Sequence, residues 1–363
     1  MASGDLETAA SEATFHFPKE KIYSGLRYFA ILTVLGLAVL FYATATRKTV
    51  EALGHLQVQF IFVAAALKAV DIGLGAWRTF LLVRRLKPGI SPWLCVRAQL
   101  ANEFGAAATP GQSGGGPAWI YIMYRGGISL SGAVACSVLI FLSTLAFFLV
   151  ATTLSLVILD DLLSTQPPFS WLRYGFLVCA GLFCALFFSL WKPHVVESAI
   201  EAGIRIARRK PGGLRERLAH WGQGLEGSIH KYQDHGLVLW RKYRSSVLAS
   251  FAITSIYYIN RLNLSYFLLR GLGLEVDYLT ALALLALLRF ALYFIPTPGG
   301  SGVGEVTIGA IMATVMPSYL LPIYAVLYRA FHLFLPATLG AWVLITALKA
   351  SAKAKPESPT AHG

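Results

Sequence analysis

The chain has 363 residues, of which 56% are hydrophobic and 13% are charged, about half the charged share of an average soluble domain. Its 31 Lys and Arg outnumber 18 Asp and Glu and give a net charge of +13. Uncharged apolar stretches, such as Ile128 to Leu159, are longer than the about 20 residues that a helix needs to cross a membrane. The composition predicts an all-α polytopic membrane protein and excludes a soluble enzyme, a nucleic-acid binder and a disulfide-stapled secreted module.

In chain order, we predict six full crossings and two apolar hairpins that Pro and Gly interrupt. The crossings are expected at residues 25–46, 57–83, 128–159, 171–191, 246–270 and 318–348, and the re-entrant hairpins at 92–124 and 278–315. A first membrane half then covers residues 25–191 and a second covers 246–348, with a basic amphipathic cytoplasmic loop at 192–245 between them. Residues 1–24 and 349–363 are expected to be disordered and cytoplasmic.

The distribution of Lys and Arg predicts the orientation. With the N-terminus inside, only Arg47, Lys48, Arg173 and Arg270 fall in outer loops. Positive residues favour cytoplasmic loops, so we expect both termini in the cytoplasm. In loop 192–245, apolar residues at helical spacing share the segment with Arg and Lys, which predicts a surface helix on the anionic inner leaflet. A docking site for a cytoplasmic partner is the alternative.

One motif occurs twice in the chain. Residues 109–116 read TPGQSGGG and residues 297–304 read TPGGSGVG. Proline ends a helix and glycine permits positive φ, so each motif predicts unwound backbone at membrane depth, which requires burial in protein or a polar cavity. The charge distribution places the first hairpin inside and the second outside, an inverted repeat typical of transporters. Helix packing through small residues is the alternative.

The motif residues are candidate substrate ligands because helix N-termini that follow such breaks attract anions. In the first motif the candidates are Thr109, Pro110, Gly111, Ser113 and Gly114; in the second they are Thr297, Pro298, Gly299, Gly300, Ser301 and Gly302. The four cysteines form no C-x-x-C pair, and we expect no metal site and no cofactor.

Charged residues within the apolar segments are a second set of candidates: Lys68, Asp71, Arg78, Arg261, Arg289, Glu305 and Arg329. A charge near the bilayer centre costs at least about 2.5–3.5 kcal/mol, so these side chains are expected to face protein or water. Lys68 and Asp71 form either a structural ion pair or part of a substrate site. His332 is expected to be a hydrogen-bonded core histidine.

Arg289 and Glu305 flank the second motif and are the strongest of these candidates. Arginine binds phosphate through two parallel hydrogen bonds. Glu305 either neutralises Arg289 in an empty site, binds a cationic head group or carries a coupling proton, and the sequence leaves these roles open.

Residues 289–305, RFALYFIPTPGGSGVGE, resemble the lysylphosphatidylglycerol synthase transmembrane region, the flippase-domain family, and residues 78–85, 98–105 and 109–111 agree. The resemblance implies a bacterial cytoplasmic (inner) membrane protein that moves a phospholipid, such as aminoacylated phosphatidylglycerol or a related anionic or polyprenyl-linked lipid, from the inner to the outer leaflet. It implies that Asp71, Arg78, Arg289 and Glu305 line the lipid path and that a homodimer is possible. Bifunctional members carry an aminoacyl-transferase domain after this region, and the chain printed here stops at Gly363, so we expect no synthase activity and a separate lipid-modifying enzyme as a possible partner.

Two other classes of function, an intramembrane hydrolase and an accessory scaffold, are weighed against transport. The pattern G-x-S-G occurs at Ser113 and at Ser301, as in rhomboid-type intramembrane proteases, with His332 as the candidate base. Prenyl-pyrophosphate phosphatases also use inverted hairpins, but neither motif here carries the further Arg that they need. An accessory scaffold for a lipid-modifying enzyme, acting through loop 192–245, is the third possibility. Substitution of the two serines separates a protease, which loses activity, from a flippase.

Overall fold

The computed structural model describes residues 31, 34–159, 170–191, 239–293 and 295–353. Their α-helices are α1 Val34–Thr44, α2 Arg47–Gly54, α3 Val58–Leu86, α4 Pro92–Ala108, α5 Gly115–Arg125, α6 Leu130–Ile158, α7 Ser170–Trp191, α8 Arg244–Gly271, α9 Tyr278–Tyr293, α10 Val303–Met312, α11 Leu321–Arg329 and α12 Leu335–Lys353. Within these described ranges there is no β-strand, only one isolated β-bridge. The predicted all-α class is confirmed.

Three described segments are long and apolar enough to cross a membrane: Val58–Leu86, Leu130–Ile158 and Ser318–Ala347. They correspond to the predicted crossings 57–83, 128–159 and 318–348, and the chain is a polytopic membrane protein. Helices α7 and α8 match the predicted crossings 171–191 and 246–270 in position. The part of crossing 25–46 before α1, apart from residue 31, and most of loop 192–245 lie outside the described residues.

Both apolar hairpins are broken where the repeated motif predicts it. The first break lies between α4 and α5, and the second between α9 and α10. Thr109 closes the first break, because its Oγ1 donates to the carbonyl of Gly105 at 2.8 Å and accepts from the N–H of Gly114 at 2.7 Å. Asp277 starts the second hairpin: its carboxylate accepts from the N–H and the hydroxyl of Thr280, both at 2.9 Å, and these bonds lower the pKa of Asp277.

The two halves of the chain pack against each other reciprocally. Helix α3 packs along α8, the helix that follows the first hairpin (α6) packs on the first arm of the second hairpin (α9), and α12 packs on the first arm of the first hairpin (α4). Between the breaks, Pro110 and Pro298 form an antiparallel bridge. This exchange of equivalent contacts is what a two-fold inverted repeat requires. The side of the membrane on which each hairpin opens stays a prediction.

The last crossing contains a π-helical turn from Ala330 to Phe334, between α11 and α12. Pro336 has no N–H to donate to the carbonyl of His332, four residues earlier, and a proline ring at that spacing collides with an α-helical carbonyl. Widening the helix over the preceding residues removes this conflict, and π turns of this kind are frequent at functional sites. The turn begins directly after Arg329 and contains His332.

Candidate functional site

A cavity of about 570 Å³ lies where the two breaks meet. Its volume is within the range of small-molecule sites in proteins. Its ionisable lining residues are Arg78, Glu103, Arg261, Arg289, Arg329 and His332, together with four tyrosines at positions 257, 258, 293 and 328. Parts of both motifs also line it, namely Gly111, Gln112, Ser113, Gly115 and Gly116 of the first and Gly299 of the second. Four of the sequence-predicted charges, the arginines, therefore line a single chamber with contributions from both halves of the chain, whereas Lys68, Asp71 and Glu305 are not among its lining residues.

Asp71 lies behind the cavity wall rather than in it. Its carboxylate is 2.7 Å from the Nζ of Lys68, one helical turn earlier, and 2.6 Å and 3.1 Å from two nitrogens of Arg261 on α8. All three side chains are at least nine-tenths buried. Asp71 thus ties α3 to α8, and both of its oxygens are occupied. Of the two roles predicted for Lys68 and Asp71, a structural ion pair accounts for these contacts.

Glu103 on α4 is a cavity residue that the sequence prediction left out. Its Oε1 accepts hydrogen bonds from Gln99 at 3.1 Å, from the hydroxyl of Tyr257 at 3.1 Å and from Arg261. The side chain is 13% exposed, and this residue lines the chamber while its Oε1 is engaged by three donors. Glu103 lies within a 17-residue apolar helix. A charge in an apolar segment is the criterion that selected the other candidates, and it could have identified Glu103 from the sequence.

Arg78 on α3 lines the cavity without an ionic partner among the described residues. It is 6% exposed, and its Nε and Nη1 have no hydrogen-bond acceptor within the described part of the chain. Its guanidinium carbon lies 4.4 Å from the ring centre of Tyr257, and that of Arg261 lies 4.5 Å from the same centre. The aromatic ring stabilises these cations without cancelling their charge.

Arg329 and Glu305 secure the second break. Glu305 is fully buried, and its Oε1 lies 3.0 Å from the Nε of Arg329. The two terminal nitrogens of Arg329 donate to the carbonyls of Gly299 at 2.6 Å and Gly300 at 2.8 Å. Neutralising Arg289 was one of the three roles left open for Glu305, and the ion pair in the structure is with Arg329 instead. The π-helical turn, which sequence periodicity did not reveal, follows Arg329 directly.

Arg289 is the second cavity cation without a carboxylate partner among the described residues. Its Nη1 lies 3.5 Å from the hydroxyl of Tyr328, which is neutral. His332, also in the wall, has its Nε2 2.8 Å from the hydroxyl of Ser265. The predicted hydrogen bond of His332 is therefore present, with a partner on α8 rather than in either motif, whereas its Nδ1 is buried without a hydrogen-bond partner among the described residues.

Several backbone N–H groups of the motifs are already used within their own turns. In the first, the N–H groups of Ser113 and Gly115 donate to the carbonyls of Pro110 and Gln112. In the second, those of Gly300, Ser301 and Gly304 donate to Thr297, Pro298 and Gly300. We expected the N–H groups after each T-P-G to hold an anion. The ones named here are occupied, so the arginine side chains are the stronger anion donors.

The other motif residues shape the breaks. Gly111, Gly299, Gly300 and Gly302 have φ of 58°, 57°, 66° and 80°, in the left-handed region where glycine carries no steric penalty. Ser301 is fully buried. Among the described residues, no group of three or more His, Cys, Asp or Glu is arranged to hold a metal ion.

The chain matches the model of the family described as the lysylphosphatidylglycerol synthase TM region over residues 28–340. The match covers the whole cavity and both broken hairpins. A search of curated proteins finds no match.

Proposed function

The chain belongs to the family of the lysylphosphatidylglycerol synthase TM region, and from this premise we propose that it is a flippase that moves a lipid between the leaflets of the membrane. The observation that carries the proposal is the chamber at the meeting point of the two inverted breaks, with buried arginines from both halves in its wall. Sites of this construction, between inverted repeats with interrupted helices, are typical of transporters.

The arginines of the chamber suit the phosphate of a lipid head group. Arg78 keeps two nitrogens without an acceptor among the described residues, and Arg289 has a neutral tyrosine hydroxyl as its hydrogen-bond partner. Both are available to a phosphate, to which arginine binds with charge and geometry together. Arg261 and Arg329 are already paired with carboxylates, so we assign them to holding the wall rather than the substrate.

The apolar part of the chamber lining suits a lipid tail. Ile140 and Phe141 of α6 and Val178 and Leu182 of α7 line it. Val178 is 58% exposed. The α6–α7 wall therefore offers an apolar route by which acyl or prenyl chains stay in the bilayer while the head group occupies the polar chamber.

Translocation follows from the reciprocal packing. In our proposal the two halves rock about the chamber, which opens first to the inner and then to the outer leaflet. The contacts of α4 with α12 and of α6 with α9 are the surfaces that slide. Cytoplasmic termini, a bacterial inner membrane and inner-to-outer movement are parts of the proposal that rest on the charge distribution and the family resemblance.

An intramembrane hydrolase remains the alternative to transport, and the described contacts favour it less. The candidate base His332 bonds to Ser265. The hydroxyl of Ser113 donates to the carbonyl of Pro110 at 2.9 Å instead of to a histidine. A nucleophilic serine needs a base within hydrogen-bond reach.

Reconstitution in proteoliposomes tests the proposal. Tail-labelled fluorescent phospholipid is followed by reductive quenching of the outer leaflet, for the wild type, Arg289→Gln, and Arg270→Gln as a charge-matched control outside the chamber. We expect wild-type vesicles to exchange label between leaflets faster than protein-free vesicles. The exchange rate should fall at least about tenfold in Arg289→Gln and should be unchanged in Arg270→Gln. Wild-type vesicles that exchange lipid no faster than empty ones would overturn the proposal.

A further inference from the structure

The charges in and directly behind the chamber wall do not balance. Five cationic side chains are present: Lys68, Arg78, Arg261, Arg289 and Arg329. Three carboxylates face them: Asp71, Glu103 and Glu305. Within the described residues of this site, two positive charges are left over. Six of these eight side chains are buried, and Glu103 and Arg289 are partly buried, so water screens their charges less than at a surface.

The ion pairs assign the surplus to particular residues. Asp71 and Glu103 together balance Lys68 and Arg261, while Glu305 balances Arg329. Among the described residues, no carboxylate lies within ion-pairing distance of Arg78 or Arg289. Arg78 lies over the ring of Tyr257, and Arg289 lies 3.5 Å from the hydroxyl of Tyr328; neither tyrosine carries a compensating charge. The surplus therefore sits on the two arginines that were assigned to the substrate.

We infer that the ligand of this chamber carries two negative charges, as the terminal phosphate of a phosphate monoester does. This inference rests on the proposed transport function and names the substrate class for it. A second phosphate ionisation near pH 6 gives a monoester a charge close to −2 at neutral pH. A buried site is most stable when its charges are compensated. A dianion brings the occupied chamber to neutrality, a phosphodiester leaves one positive charge, and an aminoacylated cationic head group adds to the surplus.

The geometry accommodates the same ligand. Arg78 approaches the chamber from α3 in the first half and Arg289 from α9 in the second. A terminal phosphate exposes three oxygens and accepts from two guanidinium groups, whereas a phosphodiester has two of its four oxygens in ester bonds. Because the two arginines belong to different halves of the chain, a dianion held by both joins the halves while they rock.

Such a ligand also has a definite response to the membrane potential. A potential of 100 mV, negative inside, biases a single charge about 50-fold between the two sides. It drives a negative head group outward and a positive one inward, and it acts twice as strongly in free energy on a dianion. Outward movement of a lipid phosphate monoester thus gains from the potential and needs no other coupled energy source.

The test compares lipids that differ in head-group charge in the same proteoliposomes at pH 7.5. Tail-labelled phosphatidic acid and a polyprenyl monophosphate are the monoester probes, phosphatidylglycerol is the diester probe, and lysylphosphatidylglycerol is the cationic probe. We expect either monoester to be translocated at least tenfold faster than the diester and the cation. An inside-negative potential should slow inward movement of the monoester and accelerate inward movement of the lysyl lipid, and an outside-negative potential should do the reverse.

Charge variants separate this inference from its alternatives. Arg78→Gln and Arg289→Gln each leave one surplus charge, so each should lower the monoester-to-diester rate ratio about tenfold, while Arg78→Lys keeps the charge and the ratio. Arg270→Gln serves as the control and should change nothing. If the wild type moves the diester or the cation as fast as the monoester, the charge inference is wrong and the flippase proposal stands.

Inorganic phosphate identifies the source of the anion. Millimolar inorganic phosphate should compete poorly with a lipid monoester, because it lacks the tail that the α6–α7 wall accommodates. If inorganic phosphate binds and no lipid is moved, the dianion site is upheld and the lipid-transport proposal is overturned. If none of the lipids moves and inorganic phosphate does not raise the thermal unfolding midpoint in detergent, the dianion site and the lipid-transport proposal are both overturned.

Discussion

The Arg329–Glu305 pair gives the sharpest quantitative prediction about the fold. Replacing Arg329 by Met leaves the carboxylate of Glu305, which is fully buried, without a counter-charge. Breaking a buried pair in this way costs about 3–5 kcal/mol. The same substitution removes two donors to the carbonyls of Gly299 and Gly300, each worth about 1–3 kcal/mol because the donor is charged. We expect Arg329→Met to destabilise the protein by at least about 4 kcal/mol.

A double-mutant cycle isolates the ionic part of that loss. Glu305→Gln alone should cost about 1–3 kcal/mol, since Arg329 keeps both carbonyl acceptors. Combined with Arg329→Met, it removes the uncompensated charge and should recover about 2–3 kcal/mol relative to Arg329→Met alone. Equilibrium unfolding in detergent micelles measures all three variants. Free energies that add within about 0.5 kcal/mol would refute the pairing of these two residues.

Two further predictions concern the neighbourhood of α3. A Cβ at Gly75 would lie 2.6 Å from the Cδ of Gln99, whereas one at Gly73 meets nothing within 4 Å. Gly75→Ala should therefore lower the free energy of unfolding in detergent by about 1–3 kcal/mol, with Gly73→Ala as the control. Equal stability of the two variants would count against this contact. The ring of Tyr257 contacts two guanidinium groups and its hydroxyl bonds to Glu103. Tyr257→Phe should keep most of the lipid translocation rate and Tyr257→Leu should lose it, and equal losses would show that the hydroxyl matters more than the ring.

The breaks were predictable because their causes are local. Proline and glycine act on their own backbone, so the T-P-G motifs located both interruptions. Their equivalent positions indicated a repeat, whose inversion was inferred from the distribution of Lys and Arg and stays a prediction. The apolar runs located the crossings for the same reason, since each helix buries or exposes its own side chains. That the charged residues converge on protein rather than lipid followed from the cost of a charge in hydrocarbon.

The partners of those charges were less predictable. Helical periodicity places Arg289 and Glu305 near one break, but it does not reveal that α11 brings Arg329 to Glu305. The same limit hid the bond between Glu103 and Arg261, which lie far apart in sequence. Glu103 itself was recognisable as a lone carboxylate in an apolar helix, the signal that singled out Asp71. The internal hydrogen bonds of the motif turns depend on the full backbone path and could not be read from composition.

Access to the chamber from both sides of the membrane is the most direct test of the transport account. Ser113 is exposed and lines the chamber, and among the native cysteines only Cys184 is exposed, the other three being buried. Ser113→Cys in a Cys184→Ala background, reconstituted in a known orientation, is treated with a membrane-impermeant thiol reagent from either side. The account predicts labelling from both sides, and slower labelling when phosphatidic acid is present. Labelling from one side only, unchanged by lipid, would contradict alternating access and favour a fixed site such as that of a hydrolase.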